Sequence, residues 1–191
     1  MKSELAELRW HGRGGQGAVT SAELVAQAAI TEGKYAQGFP SFGPERRGAP
    51  VMAFNRISAH NPIRNRAGIT NPDAVIVLDP SLIEISKVTS GLKKGGTIII
   101  NTTKPLEAFP ELTDSWRIAV IDANLIAREE LGVPIVNTTM LGALIKALGI
   151  VELESMTEPV NQRFGKIAAK NLNAMKRAFE ETRVKELETV G

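Results

Sequence analysis

The 191-residue sequence has no cysteine and only two histidines, His11 and His60. It therefore has no disulfide, no thiol nucleophile, no ligand for an iron–sulfur cluster and no cysteine-type zinc site. Two histidines are also too few for a histidine-rich metal centre. Aromatic residues make up 5% of the chain, too few for base stacking to be its main business. Net charge is +2, from 23 Lys and Arg against 21 Asp and Glu, which gives no electrostatic case for nucleic acid. The longest apolar runs, residues 74–78 (AVIVL) and 97–100 (TIII), are far shorter than the roughly 20 residues a membrane span needs. The opening MKSELAELRW shows no apolar signal-peptide core, so a cytoplasmic protein is the expectation.

With 43% hydrophobic and 23% charged residues, the composition is that of an ordinary globular protein. Its pattern alternates. A strand-like segment leads into a glycine cluster, and Val19, Ala22, Val25, Ala26 and Ala29 then recur at helical spacing up to a stop at Gly33. Residues 34–50 read as one long Gly- and Pro-rich loop, and residues 51–57 as a strand. Residues 58–66 suggest a turn and a short return segment. Residues 74–78, 97–101 and 117–121 read as buried strands. Helices are expected at 81–90, 123–131 and 140–148, the last capped by residues 137–139 and stopped by Gly149. Residues 151–191 read as mostly helical, with Phe164, Ile167, Ala168, Leu172, Met175 and Phe179 as one apolar stripe and Lys166, Lys170, Lys176 and Arg177 on a solvated face. The expectation is a single α/β domain over residues 1–191, a mostly parallel twisted sheet with helices on both faces and a helical C-terminus.

Gly12, Arg13, Gly14, Gly15, Gln16 and Gly17 form the first turn and satisfy the G-x-G-x-x-G spacing between a strand and a helix. Glycines allow close backbone approach, and free N–H groups at a helix start attract anions. Arg13 adds a cation. A dinucleotide site also asks for an acid about 20 residues on, at the end of the next strand. Residues 33–39 (GKYAQGF) have none, and Glu32 belongs to the helix end. The remaining readings are tight strand–helix packing, or contact with a phosphate or a partner subunit.

Residues 39–50 (FPSFGPERRGAP) combine prolines, glycines and two aromatics with Glu45, Arg46 and Arg47. A stiff loop with adjacent arginines suits docking or anion recognition, since guanidinium groups bind carboxylates and phosphates bidentately. Asp79 and Asp122 follow strands and precede helices, so they read as caps. His11 at a strand end reads as structural and His60 as a turn residue. Gln16 either bonds a partner group or steadies its own loop.

Together the glycine loop, residues 41–50 (SFGPERRGAP) and residues 137–142 (NTTMLG) resemble the gamma subunits of 2-oxoacid:ferredoxin oxidoreductases over nearly the whole chain; residues 41–47 lean toward the pyruvate type, although ketoisovalerate and indolepyruvate relatives share the layout. The resemblance implies a multi-subunit enzyme performing coenzyme A-dependent oxidative decarboxylation. Thiamine diphosphate, Mg and [4Fe-4S] clusters would sit in companion alpha, beta and delta subunits, and ferredoxin would take the electrons. No Gly-Asp-Gly…Asn-Asn thiamine diphosphate motif is present. The implied role is a non-redox scaffold, inert alone, whose Gly12–Gly17 loop and Glu45, Arg46 and Arg47 help form the coenzyme A entrance or contact a partner subunit. A stand-alone nucleotide-binding protein and a pure assembly module are the alternatives. Neither nucleic acid nor a membrane is expected as a partner.

Overall fold

The structure is a computed structural model that describes residues 4–41 and 48–187. In chain order it comprises β1 (Leu5–Arg13), α1 (Ala18–Thr31), β2 (Tyr35–Pro40), β3 (Pro50–Ser58), β4 (Ala74–Val77) and α2 (Leu82–Ile85). Then follow β5 (Thr97–Asn101), α3 (Pro110–Thr113), β6 (Arg117–Ile121), α4 (Ala123–Leu131), α5 (Asn137–Leu148), α6 (Thr157–Phe164), α7 (Ala168–Glu181) and β7 (Arg183–Lys185). The strands form one sheet in the order β2-β3-β1-β4-β5-β6-β7. Neighbours β1, β4, β5 and β6 are mutually parallel, and β2 points the same way because two antiparallel pairings separate it from β1. Only β3 and β7 run against them.

Every residue of β4 and β5 is buried, as the apolar run of β4 and the three consecutive isoleucines of β5 indicate. On one face Leu8, Trp10, Ile76 and Ile99 pack under α1, α4, α5 and α7. On the other, Val75, Val77, Ile98, Ile100, Ile118 and Val120 pack against Leu82, Val88 and Leu92. Helices thus lie on both faces, long on the first and short on the second. At the heart of the first layer Trp10 Nε1 donates to Asn55 Oδ1 at 2.8 Å, and Asn55 Nδ2 donates to the Ala22 carbonyl at 2.7 Å, so this buried amide is satisfied rather than costly.

The Gly- and Pro-rich loop expected at 34–50 is partly a strand. Residues 35–40 pair antiparallel with β3. Gly38 is required there, because a Cβ would lie 2.4 Å from the Ala22 carbonyl oxygen of α1. The helix expected at 81–90 is regular only over Leu82–Ile85. Beyond it the buried Arg9 guanidinium takes the Val88 and Ser90 carbonyls at 2.9 and 2.6 Å, and Lys87 has a φ of 43°. Of the turn and return segment expected at 58–66, Ser58 ends β3 and residues 59–66 contain no strand. Instead this stretch covers the sheet, with the Ile63 carbonyl accepting from Gln37 Nε2 at 3.0 Å. The α5 helix starts at Asn137, three residues earlier than expected, because Asn137, Thr138 and Thr139 are buried in its first turn. The chain end is not wholly helical, since residues 183–185 add an edge strand to β6. In the C-terminal stripe Ala168 and Met175 are core, whereas Ile167 is exposed.

Candidate functional site at the glycine loop

The glycine loop lies where the sheet's connections diverge. From β1 the chain crosses over α1 to β2 on one side, whereas β4, on the other side of β1, leads away to β5 and β6. In α/β sheets, crevices outside the carboxyl ends of strands at such a point are where ligands bind. The ends of β1 and β4 are joined here by an ion pair, Arg13 Nε to Asp79 Oδ2 at 3.0 Å.

Asp79, expected as the cap of the next helix, instead bonds Ser81, which is the residue that precedes α2. Its Oδ1 accepts from the Ser81 N–H at 3.0 Å and the Ser81 hydroxyl at 2.6 Å, while Gln16 Nε2 reaches Oδ2 at 3.2 Å. Burial alone would raise the Asp79 pKa. The hydrogen bonds from Ser81, Gln16 and Arg13 outweigh it and hold the carboxyl below its ordinary range. All three guanidinium nitrogens of Arg13 bond within the chain. Its Nη1 donates to the Gly48 carbonyl at 3.1 Å and Nη2 to Ser81 Oγ at 2.8 Å. The free cation expected in the loop is therefore neutralised by Asp79. Gln16 steadies its own loop, its Oε1 accepting from the Arg13 N–H at 2.7 Å.

What the loop offers a ligand is backbone. Gly17 precedes α1 in a left-handed conformation, φ 82°, with no side-chain cap, and no acidic residue lies in the first helical turn. The first N–H groups of α1 have no intrahelical partner, and this positive end of a 14-residue helix borders a cavity of about 290 Å³ lined by Arg13, Gly14, Gly15, Gly17, the first turn of α1 and Val51. This is the chemistry of an anion subsite. Gly17 also satisfies the packing reading, since a Cβ there would lie 2.8 Å from Asn137 Nδ2 of α5.

The two stretches singled out in the sequence meet. The Gly14 N–H donates to the Ala49 carbonyl at 2.9 Å, and the Gly48 N–H donates to the Gly14 carbonyl at 3.3 Å. Glu45, Arg46 and Arg47 lie outside the described residues. Phe39 packs its ring, tilted, against Phe54 with centroids 5.4 Å apart.

His11 is buried and structural. Its Nε2 accepts from Arg9 Nε at 2.9 Å, and burial together with the Arg9 charge lowers its pKa to about 4. His60 is exposed in a bend. Asp122 caps α4, accepting from the Leu125 N–H at 2.9 Å. Residues that sequence reasoning passed over hold the site's floor. Asn101 donates to the Leu78 carbonyl at 2.8 Å and accepts from the Ala123 N–H at 3.0 Å, binding together the ends of β4, β5 and β6. Its signal was a polar residue closing a buried apolar strand. That of Ser81 was its place two residues after Asp79. Among the described residues no group of three His, Cys, Asp or Glu is placed to hold a metal ion.

Residues 7–181 match the family described as pyruvate ferredoxin/flavodoxin oxidoreductase. The pyruvate/ketoisovalerate oxidoreductases common subunit gamma of Thermococcus litoralis is 52% identical over 186 residues, covering 96% of this chain and all of that one. Pyruvate synthase subunit PorC of Methanothermobacter marburgensis is 49% identical over 177 residues, 92% of this chain and 97% of that one. The crystal structure of pyruvate oxidoreductase subunit PORC from Thermotoga maritima superposes with a TM-score of 0.85 at 38% identity, over 96% of this chain and all of that one. A match that spans the sheet, the glycine loop and the C-terminal helices alike means that the chain belongs to the pyruvate ferredoxin/flavodoxin oxidoreductase family, as a gamma-type subunit.

Proposed function

We propose that this chain is the gamma subunit of a cytoplasmic, multi-subunit pyruvate:ferredoxin oxidoreductase. The complex converts pyruvate and coenzyme A to acetyl-CoA and CO2 while reducing ferredoxin. The reading is supported by relatives whose names specify pyruvate synthase, or pyruvate together with ketoisovalerate. Alpha, beta and delta chains carry the thiamine diphosphate, its Mg and the [4Fe-4S] clusters. Cluster ligation does not fit this chain, which contains no cysteine, and no step of the redox chemistry runs through it.

The chain's own contribution is one wall of the coenzyme A entrance. The observation that carries this is the start of α1, which has no side-chain cap and borders the cavity, with Gly48 and Ala49 paired to Gly14 beside it. Coenzyme A brings a diphosphate and a 3′-phosphate. Helix N–H groups suit one of these and arginines suit the other. The Arg13–Asp79 pair sets the shape of the loop rather than binding the anion itself.

The test is Arg46→Ala and Arg47→Ala in the assembled complex. The expected result is a severalfold rise in KM for coenzyme A with kcat little changed, because the chemistry lies elsewhere. Unchanged KM in both variants removes the arginines from the entrance.

A further inference from the structure

The two edges of the sheet are unlike. At one, β7 is three residues long with Arg183 and Lys185 flanking Val184, which is the usual way of blunting an edge. At the other, β2 is six residues, YAQGFP, with no charge at all. The Ser41 N–H donates to the Met52 carbonyl at 2.9 Å, which fixes the phase of the antiparallel ladder. Phe39, Gln37 and Tyr35 turn their backbone groups to β3, and Ala36 and Gly38 turn theirs outward. Pro40, which has no N–H, falls at an outward position, where its loss costs the β2–β3 ladder nothing.

Beside this edge lies a groove of about 470 Å³ between α1 and β2. Ile30 of α1 is 56% exposed and Tyr35 of β2 is 45% exposed. Gln37 lines the groove, and its Oε1 is buried with no hydrogen-bond partner among the described residues. Glu23 and Arg66 also line it, and neither side chain makes an ion pair or hydrogen bond among the described residues. Between the groove and the glycine-loop cavity a further depression lies along α1 and shares lining residues with each. Thr20 borders both that cavity and the next depression, and Glu23 and Gln27 border both that depression and the edge groove.

We propose that β2 receives an extended segment of a companion subunit as an additional strand of the sheet. The inference rests on the reading of the chain as a subunit. Backbone hydrogen bonds form to Ala36 and Gly38. An apolar side chain of the segment covers Ile30, a donor satisfies Gln37 Oε1, and a carboxylate faces Arg66. The outer stripe of α1 carries the contact back toward the glycine loop.

The test compares the full chain alone with the assembled complex. Hydrogen exchange at the Ala36 and Gly38 amides is fast in the free chain and slows at least tenfold in the complex. Ile30→Glu changes an exposed position, and Ala36→Pro removes one outward N–H. Each leaves the free chain folded by circular dichroism and lowers its retention in the complex, read by native mass spectrometry, at least tenfold. If the wild-type chain retains no companion, the subunit reading falls and this proposal with it. If the wild type assembles while the edge amides stay fast and Ile30→Glu assembles normally, the proposal alone is overturned. It is overturned equally if the free chain is a dimer whose edge amides are already protected, which would assign β2 to a second copy.

Discussion

Arg13 Nε stands 3.0 Å from Asp79 Oδ2, joining residues 66 positions apart at the ends of adjacent parallel strands. This pair closes the floor of the crevice where the chain's crossovers part. It explains how a loop of four glycines within six residues holds one shape. The guanidinium fork ties the β1 end to Gly48 and Ser81, while Gln16 ties the loop to Asp79.

Asp79→Ala breaks this arrangement and leaves Arg13 without its counter-charge. A loss of about 1–3 kcal/mol is expected at pH 7 from urea unfolding. Because hydrogen bonding holds the folded-state pKa of Asp79 below its unfolded value, that stability is fully present above the unfolded pKa. It fades as pH falls through the folded value. The wild-type and Asp79→Ala curves therefore converge in acid. A difference that persists unchanged at pH 2 contradicts the assignment.

His11 gives a second pH dependence of distinct origin. Its pKa in the folded chain is about 4, against an ordinary value of 6.5, because burial and Arg9 disfavour the imidazolium. Above pH 6.5 both states are neutral there and nothing is lost. Between 6.5 and 4 only the unfolded state takes the proton, so stability drops by an amount on the order of 3 kcal/mol. His11→Gln removes this part of the slope. An NMR titration showing the His11 ring protonating near pH 6.5 in the folded chain sinks the prediction.

Gly17→Ala meets both a backbone that disfavours L side chains and the Asn137 side chain 2.8 Å from the new Cβ. The expected cost is about 1–3 kcal/mol. Gly142→Ala is expected to cost as much or more, because its Cβ would run into the Met175 carbonyl where α5 crosses α7. Thermal unfolding of each variant measures it, and a substitution that leaves Tm unchanged refutes the close approach.

Thr20→Glu puts a carboxylate into the bare first turn of α1. The helix dipole favours it, so Tm is expected to hold or rise slightly. The same charge repels phosphate. In the assembled enzyme KM for coenzyme A is expected to rise severalfold, with kcat at saturating coenzyme A retained. Lower stability with unchanged KM contradicts the anion subsite.

The buried parallel strands were legible because β4 is wholly apolar and β5 carries three consecutive isoleucines, and the helix stops were legible as Gly33, Gly132 and Gly149. Strand β2 was not, because Gly38 and Pro40 write a loop in composition. Only tertiary contacts, the Ala22 carbonyl under Gly38 and the partner strand β3, make a strand of it. The shortening of the helix after Ile85 depends on Arg9, 79 residues before the Val88 carbonyl it binds, which no local pattern encodes. At the site, the loop was legible from its glycine spacing. The commitment of Arg13 to Asp79 was not, because a sequence shows a charge without showing its partner.

The account stands most directly on a comparison of this chain alone with the complex recovered around it. Both are assayed for bound iron and for ferredoxin reduction dependent on pyruvate and coenzyme A. The complex is expected to contain iron and to turn over, and the isolated chain to do neither. Turnover by the isolated chain, or a complex as active after this chain is removed, contradicts the assignment.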